Sequence, residues 1–372
     1  MFEIIFNTIV INFFLLFSIS FINLKYFKLN NLIFINLLFY HLIFTSIYLF
    51  FFKDGAADYK TYLNLTTFNG FSLKSLVSAD LITTLVAILK ICFLNDLNII
   101  LLFSLLSLSG IIIFYKNLLK LGLEKNIAIF FLFIPGIHFW TCVPGKDSLI
   151  LLFLAIFFYF YIEQRKFLSL IFILLVFLIR PHIGFIFFAS VIITEFFLIR
   201  GLKKIIFLSI LLFIFYFVIN LDMVRYFFLD EKILSENIIV QIISNLNNFV
   251  NKFTYSDTGY ESNNFLFNIF SYIIFPIEFI FTENSFIINS TIMIESLTFL
   301  IIIHLISKSK KSIFLEKELI YFLMTCCTIY LLIMPQALFN FGLNVRQKWM
   351  IVPFIIYLSF LTKNLLVIIK NK

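Results

Sequence analysis

The chain has 372 residues, of which 62% are hydrophobic, 13% are charged and 56 are phenylalanine. So few charges exclude a water-soluble globular fold, and unbroken apolar runs of about 17 to 22 residues exclude the shorter alternating segments of a membrane β-barrel. The sequence therefore predicts an all-α, polytopic transmembrane helical bundle. The net charge of +8 indicates membrane topology and not nucleic-acid binding, because the lysines concentrate in short loops.

About eleven spans are predicted, with the N-terminus outside and the C-terminus in the cytoplasm. The positive-inside rule places the short basic loops in the cytoplasm, and the spans alternate between them. Two further apolar pieces, residues 76–94 and 265–281, do not fit this alternation and are predicted to be interfacial or re-entrant helices on the outer side. The predicted spans cover residues 3–23, 32–52, 97–115, 123–140, 147–162, 167–180, 183–199, 205–220, 286–306, 319–335 and 349–365.

A single integral membrane domain over residues 1–372 is predicted, because no Gly/Ser linker, internal repeat or separate soluble segment interrupts the chain. The first apolar run lacks a basic leader and a small-residue cleavage site, which is typical of a retained span. The external loops are predicted at about residues 53–75, 135–148, 221–264 and 336–348.

Isolated ionisable residues within the predicted spans favour a satisfied buried or interfacial role. None of them has a neighbour three or four residues away that would complete a proton relay. The cysteines have no metal-ligand spacing, so a structural role is predicted for them. These residues are His41, Glu195, Glu295 and His304, and Cys92, Cys142, Cys326 and Cys327.

A polar segment broken by Pro and Gly, residues 135–147, lies between two apolar runs. Its prolines stop a helix on each side, and a new helix is predicted to begin near Gly145, with Asp147 or Ser148 as its N-cap. A helix N-terminus beside Lys146 is suited to bind an anion such as phosphate. The segment also offers a stacking surface and a titratable group, supplied by Trp140 and His138.

Arg180 follows a short apolar run, residues 168–179, that would be roughly 18 Å long as a helix against a hydrocarbon layer of about 30 Å. The arginine is therefore predicted to lie below the outer membrane surface. At that depth an arginine normally faces a water-filled cavity or an anionic partner. Its planar donor fork favours a substrate phosphate, and the alternative is a structural ion pair with Glu278 or Glu283.

Charged residues in two other predicted outer loops complete the candidate site. Asp54 and Asp58 directly follow a span, and carboxylates there are suited to act as a general base or to bind a divalent metal that neutralises a phosphate. A solvated loop end is the alternative interpretation of the two acids. Arg346 and Lys348 lie between the last two spans, on the side where cations do not mark topology, and this favours anion binding.

The order of these motifs resembles the Wzy-type O-antigen and exopolysaccharide repeat-unit polymerases of bacteria and the related multispan GT-C glycosyltransferases. The resemblance rests on the acidic first external loop, on Pro-x-x-x-Phe-Trp and Gly-Lys-Asp in residues 135–147, on the Arg180-Pro181 pair, and on Asn-x-Gly and Arg-x-Lys in residues 340–348. It implies an outward-facing site, an undecaprenyl-linked sugar donor, arginines that bind the donor phosphates, and a base for the acceptor hydroxyl.

Carried to this chain, the resemblance implies a role for each candidate residue. The expected phosphate-binding residues are Lys146, Arg180, Arg346 and Lys348. The candidate bases are Asp54, Asp58 and His182, and the sugar pocket is expected to be lined by Tyr59, His138, Trp140 and Asp147. No metal ligand and no cofactor are predicted, with a divalent cation left open.

The predicted function is that of a membrane glycosyltransferase of surface-polysaccharide assembly. It would polymerise polyprenyl-diphosphate-linked oligosaccharide repeat units at the outer face of the bacterial cytoplasmic membrane. The alternatives are a GT-C enzyme that transfers a single sugar from a polyprenyl phosphate, a transporter or flippase of lipid-linked glycan, and a membrane acyltransferase. The expected partners are the polyprenyl-linked sugar, the lipid bilayer and other polysaccharide-assembly proteins, without nucleic acid.

Overall fold

A computed structural model describes residues 2–52, 58–64, 78–92, 94–199, 201, 297, 300, 301, 304, 305, 317–337 and 348–358. Their secondary structure is helical, and no β-strand occurs among them, so the predicted all-α class is confirmed. The helices are α1 Phe2–Ile22, a π-helical turn Asn23–Phe27, α2 Asn31–Phe51, α3 Asp58–Asn64, α4 Ser78–Ile91, α5 Asp96–Lys120, α6 Lys125–Leu132, α7 Pro135–Thr141, α8 Lys146–Ile162, α9 Lys166–Ile179, α10 Pro181–Leu198, α11 Lys317–Ala337 and α12 Lys348–Leu358.

Four of these helices are long and apolar enough to cross a membrane: Asn7–Tyr26, Asn31–Phe51, Asp96–Lys120 and Pro181–Leu198. The total of about eleven spans stays a prediction. The described residues do not include the predicted span 205–220, most of the predicted span 286–306, or the apolar piece 265–281. The predicted span 97–115 belongs to a longer helix, and 123–140 is divided between α6 and α7.

Side-chain caps explain where two of the long helices begin. The Asn30 side chain accepts the backbone N–H of Leu32 at 2.9 Å, which caps α2. Asn95 and Asn98 form a reciprocal capping box at the start of α5. Each cap satisfies backbone donors that a helix leaves without an intrahelical partner, so both helices begin at a defined residue.

The chain divides into two compact units. The first comprises Met1–Phe188, Glu278–Leu315 and Trp349–Lys372, and the second comprises Ala189–Ile277 and Glu316–Lys348. The candidate residues that the structure describes from Asp58 to His182 therefore all belong to the first unit.

Helices α5 and α8 form the centre of the first unit and run in the same direction. Gly110 of α5 lies against the backbone of Leu152, and farther along both helices the Asn117 side chain donates to the carbonyl of Ala155 at 2.9 Å. A glycine at the first contact lets the two backbones approach closely, which is how helices pack tightly in membranes.

One end of the first unit is basic. Lys116 donates to the carbonyl of Tyr26, and Lys120 forms an ion pair with Glu163. Lys28 lies close enough to Lys116 to repel it electrostatically, and Arg165 lies close enough to repel Lys120. One end of the unit therefore contains residues of three predicted cytoplasmic loops. These are Lys28 of the first loop, Lys116 and Lys120 of the second, and Arg165 of the third.

In the second unit, hydroxyl groups connect the last part of α10 to α11. The Thr325 hydroxyl lies 3.3 Å from that of Thr194 and 3.5 Å from the Ser190 carbonyl. One turn beyond, the rings of Phe197 and Tyr321 stack with centroids 6.1 Å apart. Small hydroxylated residues at a helix contact are typical of packing within a membrane.

Replacing Gly110 with alanine is expected to lower the free energy of unfolding by about 1–3 kcal/mol. The added Cβ would lie 2.9 Å from backbone atoms of Leu152, which cannot rotate away as a side chain can. Unfolding of the purified protein in mixed micelles, followed by circular dichroism, measures the change. Ser109→Ala is the matched control, since the Ser109 hydroxyl donates only within its own helix, to Leu105. Equal losses in the two variants would contradict the close approach.

Candidate functional site

The segment 135–147, which the sequence singles out, folds into the short helix α7 followed by a four-residue connection to α8. Pro135 occupies the first turn of α7, where its missing N–H is no disadvantage. Helix α8 begins at Lys146 with Gly145 as its N-cap, and the Ser148 hydroxyl donates to the Gly145 carbonyl at 2.8 Å. The prediction of Asp147 or Ser148 as N-cap is therefore wrong, because both side chains bond elsewhere.

The break between α6 and α7 leaves two backbone carbonyls to be satisfied by side chains. His138 Nε2 lies 2.6 Å from the carbonyl oxygen of Leu132, and the Tyr40 hydroxyl donates to the carbonyl of Phe133 at 3.2 Å. Tyr40 lies near the middle of α2, so the break is at about half the depth of that span. In an apolar layer such carbonyls need donors from the protein itself, and these two side chains supply them.

His138 also contacts a second histidine from a distant part of the chain. Its Nδ1 atom lies 2.7 Å from Nδ1 of His41, although the two residues are 97 positions apart in sequence. On its other side, His41 Nε2 lies 3.0 Å from both the Ser104 carbonyl oxygen and the Ser107 hydroxyl. All four residues have no exposed surface, so the structure forms a buried polar network between α2, α5 and α7.

Above this network lies a cluster of aromatic rings that includes two predicted pocket residues. The Tyr48 ring lies 5.1 Å from Phe139, 5.9 Å from Tyr59 and 6.4 Å from Trp140, measured between centroids. Tyr59 belongs to α3, and its burial raises the pKa of the phenol above its ordinary value. The phenol therefore stays protonated at neutral pH and remains a hydrogen-bond donor beside the half-buried Trp140.

Lys146 lies in the first turn of α8 and is half-buried. Its Nζ atom donates to the Ser78 hydroxyl at the start of α4, at 2.9 Å. A helix N-terminus carries a partial positive charge and backbone N–H groups that point outward, and the ammonium group adds a full charge. This part of α8 is thus electropositive.

Arg180 and Asp147 form an ion pair inside the first unit. Arg180 Nη2 lies 2.8 Å from Asp147 Oδ1, and the two side chains are only 5% and 1% exposed. Pro181 favours an extended backbone at Arg180, which ends α9 and directs the guanidinium group toward the start of α8. Each charge also lies at the helix end of opposite partial charge, because Asp147 is in the first turn of α8 and Arg180 caps the C-terminus of α9.

The sequence left open whether Arg180 binds a substrate phosphate or forms a structural ion pair with Glu278 or Glu283. The structure supplies Asp147 as an ion-pair partner, and the two glutamates lie outside the described residues. The spacing of Asp147 and Arg180 in sequence contains no signal for the pair. The ion pair forms because α8 and α9 make a hairpin that brings the start of α8 to the end of α9.

The other predicted site residues are distributed as follows. Asp58 is exposed at the start of α3, and His182 is half-buried in the first turn of α10. Lys348 begins α12, is 7% exposed and belongs to the second unit. Asp54 and Arg346 lie outside the described residues. The histidine pair leaves no signal in the sequence, because His41 and His138 lie on different helices and are 97 positions apart.

Tyr40→Phe is expected to lower the free energy of unfolding by about 1–3 kcal/mol, since it leaves the Phe133 carbonyl without its side-chain donor. The ring contacts with Phe133 and His138 are kept, so the loss reports on the hydroxyl alone. The control is Tyr26→Phe, which removes a hydroxyl from an exposed tyrosine. Unfolding titrations of both variants in mixed micelles provide the comparison, and equal stabilities would refute this role of Tyr40.

Asp147→Asn is expected to lower the free energy of unfolding by about 3–5 kcal/mol, because it removes the carboxylate that pairs with a buried guanidinium group. A second change, Arg180→Met, should restore part of that loss, since the double variant removes both charges of the pair. Asp96→Asn is the matched control: Asp96 also pairs with a lysine, Lys90, at 2.9 Å, but is 57% exposed. Thermal or denaturant unfolding gives the free energy of unfolding of the unmodified protein, of the two single variants and of the double variant. A loss in Asp147→Asn no larger than in Asp96→Asn would rule out a buried pair.

The junction of α7 and α8 therefore brings together an aromatic cluster, a cation at a helix N-terminus and a buried ion pair. The buried histidine pair lies deeper, beside the break between α6 and α7. Within the residues that the structure describes, no group of three or more His, Cys, Asp or Glu side chains is placed to hold a metal ion. Comparison of the chain with protein-family models, with curated proteins and with solved structures gives no match.

Proposed function

We propose that the protein is a membrane glycosyltransferase that polymerises polyprenyl-diphosphate-linked oligosaccharide repeat units. The observation that carries this proposal is the placement of Lys146. Its ammonium group lies at the N-terminus of α8, while Trp140 and Tyr59 belong to an aromatic cluster that adjoins the same junction. A cation and helix N–H groups suit a phosphate, and aromatic rings suit the apolar face of a sugar.

The phosphate end of the donor would bind Lys146 and the first N–H groups of α8. Lys146 adds a positive charge to this helix turn, beside the buried ion pair of Asp147 and Arg180. Arg180, held in place by Asp147, would support the phosphate from the end of α9. As the bond between the anomeric carbon and the phosphate oxygen breaks, negative charge develops on the diphosphate leaving group. Cations already in place stabilise that charge without reorganising.

The acceptor end would meet α3. Asp58 is exposed, and the next residue, Tyr59, is part of the aromatic cluster. The acceptor hydroxyl would attack the anomeric carbon and give its proton to a carboxylate, for which Asp58 is the candidate in the described part of the chain. The new glycosidic bond forms as the diphosphate departs, so each cycle lengthens the glycan on its carrier.

The placement of charge supports an outward-facing site. The junction of α7 and α8 lies at the end of the first unit opposite Lys116, Lys120 and Arg165, because α5 and α8 run in parallel from one end to the other. Basic ends of membrane helices are retained in the cytoplasm. The proposed site then faces the outside of the bacterial cytoplasmic membrane, where polyprenyl-linked repeat units are polymerised.

A transporter of the same lipid-linked glycan is the second candidate, and one observation favours it. The break between α6 and α7 interrupts an apolar helix at about half the depth of α2, and broken helices of this kind line the substrate sites of transporters. A GT-C enzyme that adds one sugar would use the same cation and aromatic cluster. The three activities differ in their products: a long glycan, a translocated repeat unit, or one added sugar.

Lys146→Ala is expected to reduce long surface glycan at least about tenfold in the source cell, because a charge-assisted contact to the leaving group is worth roughly that factor or more. Single repeat units should accumulate on the carrier at the outer face. Gel profiles of surface glycan and mass spectrometry of extracted lipid carriers measure both effects. The matched control is Lys125→Ala, which removes an exposed lysine at the basic end.

Variants are compared only at equal membrane levels. Normal glycan length in Lys146→Ala would eliminate the proposed phosphate site. Normal glycan length after deletion of the whole gene would eliminate the polymerase itself. Accumulation of repeat units on the cytoplasmic face would favour the transporter, and loss of a single sugar from each unit would favour the GT-C enzyme.

A further inference from the structure

The buried network around His41 forms a continuous chain of hydrogen-bonding atoms. It runs from the Ser107 hydroxyl to His41 Nε2 at 3.0 Å, from His41 Nδ1 to His138 Nδ1 at 2.7 Å, and from His138 Nε2 to the Leu132 carbonyl at 2.6 Å. Helices α2, α5, α6 and α7 contribute to it, and none of the side chains reaches the surface. The proposed glycan transfer uses none of these contacts.

The acceptors determine where the hydrogens lie when both rings are neutral. A carbonyl oxygen only accepts, so His138 must carry its hydrogen on Nε2, and its Nδ1 is then an acceptor. His41 must therefore donate from Nδ1. Its Nε2 is left without a hydrogen and accepts the hydroxyl hydrogen of Ser107, so every ring nitrogen has a complementary partner.

The same heavy atoms also fit a second arrangement that contains one more proton. His41 Nε2 lies 3.0 Å from the Ser104 carbonyl oxygen, and the Ser107 hydroxyl lies 2.8 Å from that oxygen. If a proton is added to Nε2, the new N–H can donate to the Ser104 carbonyl. The Ser107 hydroxyl then rotates from Nε2 to the same carbonyl oxygen, which already lies within hydrogen-bond distance of it. No covalent bond between heavy atoms changes, and solvent supplies the proton.

We propose that His41 and His138 form a buried binding site for one proton, with the Ser107 hydroxyl as the group that reorients when the proton arrives. The site holds one proton and not two, because two imidazolium rings would direct N–H groups at each other across 2.7 Å. This role is independent of the proposed glycan transfer and would also serve a transporter. Because His138 caps the Leu132 carbonyl, the site is joined to the break between α6 and α7.

The surroundings of the pair are consistent with a neutral resting state. From α2 the Tyr40 ring lies 4.9 Å from the His138 ring, and after α7 the Cys142 thiol donates to the Phe139 carbonyl at 3.2 Å. From α5 the Ser104 carbonyl and the Ser107 hydroxyl contact His41. In the described part of the chain no carboxylate forms an ion pair with either ring. An imidazolium without a counter-ion is costly in such a layer, so the extra proton is bound only when the proton concentration rises.

The test is ¹⁵N nuclear magnetic resonance of histidine-labelled full-length protein in lipid nanodiscs, with signals assigned by comparison with His41→Gln and His138→Gln. At neutral pH, His41 should be protonated on Nδ1 and His138 on Nε2. On acidification the pair should take up one proton in a single step. Two independent steps, the reverse tautomers, or no uptake before helix content is lost would each overturn the proposal.

Ser107→Ala provides a variant that keeps both histidines. It removes the donor needed only by the neutral arrangement, so half-protonation should move to higher pH by on the order of one unit, the equivalent of one hydrogen bond. Ser109→Ala is the matched control, because its hydroxyl donates within α5 and does not reach the pair. Equal midpoints in the two serine variants would overturn the role of Ser107 and with it the proposed site.

Discussion

The break between α6 and α7 imposes the constraint on which the arrangement of the first unit depends. An apolar layer offers no water to hydrogen-bond the carbonyls of Leu132 and Phe133, so the protein must supply donors there. His138 and Tyr40 do so, and the other ring nitrogen of His138 lies 2.7 Å from His41 Nδ1. The pairing of α2 with α5 and α7 follows from this demand, because the polar atoms have few partners in a chain with so few charges.

A second buried contact fixes the junction that follows. Asp147 and Arg180 neutralise each other between the start of α8 and the end of α9, where both helix dipoles favour their charges. A buried ion pair adds little net stability but is costly to break, so it acts mainly by specifying one arrangement. Here that arrangement leaves Lys146 in the first turn of α8, where its ammonium group donates to the Ser78 hydroxyl.

The ion pair and the histidine pair would serve different steps at the proposed site. The ion pair and Lys146 belong to the end that would meet the lipid-linked substrate, whereas the histidine pair lies deeper, beside the helix break. A polymerase requires only the end that contains the ion pair and Lys146. A transporter would use both, since proton binding next to a broken helix is a means of coupling ion movement to a change of shape. Proton binding by the histidine pair therefore helps to distinguish a transporter from a polymerase.

The sequence by itself determined the fold class and the positions of most described helices, because apolar runs and prolines act locally along the chain. It also located the segment 135–147 and the charged residues Lys146 and Arg180 as the polar exceptions in an apolar chain. Only the tertiary structure decided which of these residues are partners. Asp147 meets Arg180 through a helix hairpin, and His41 meets His138 across 97 positions, so neither pair leaves a spacing that a helical period could reveal. The physical reason is that the demand for hydrogen-bond partners in an apolar layer is local, but the partner is supplied by whichever helix packs alongside.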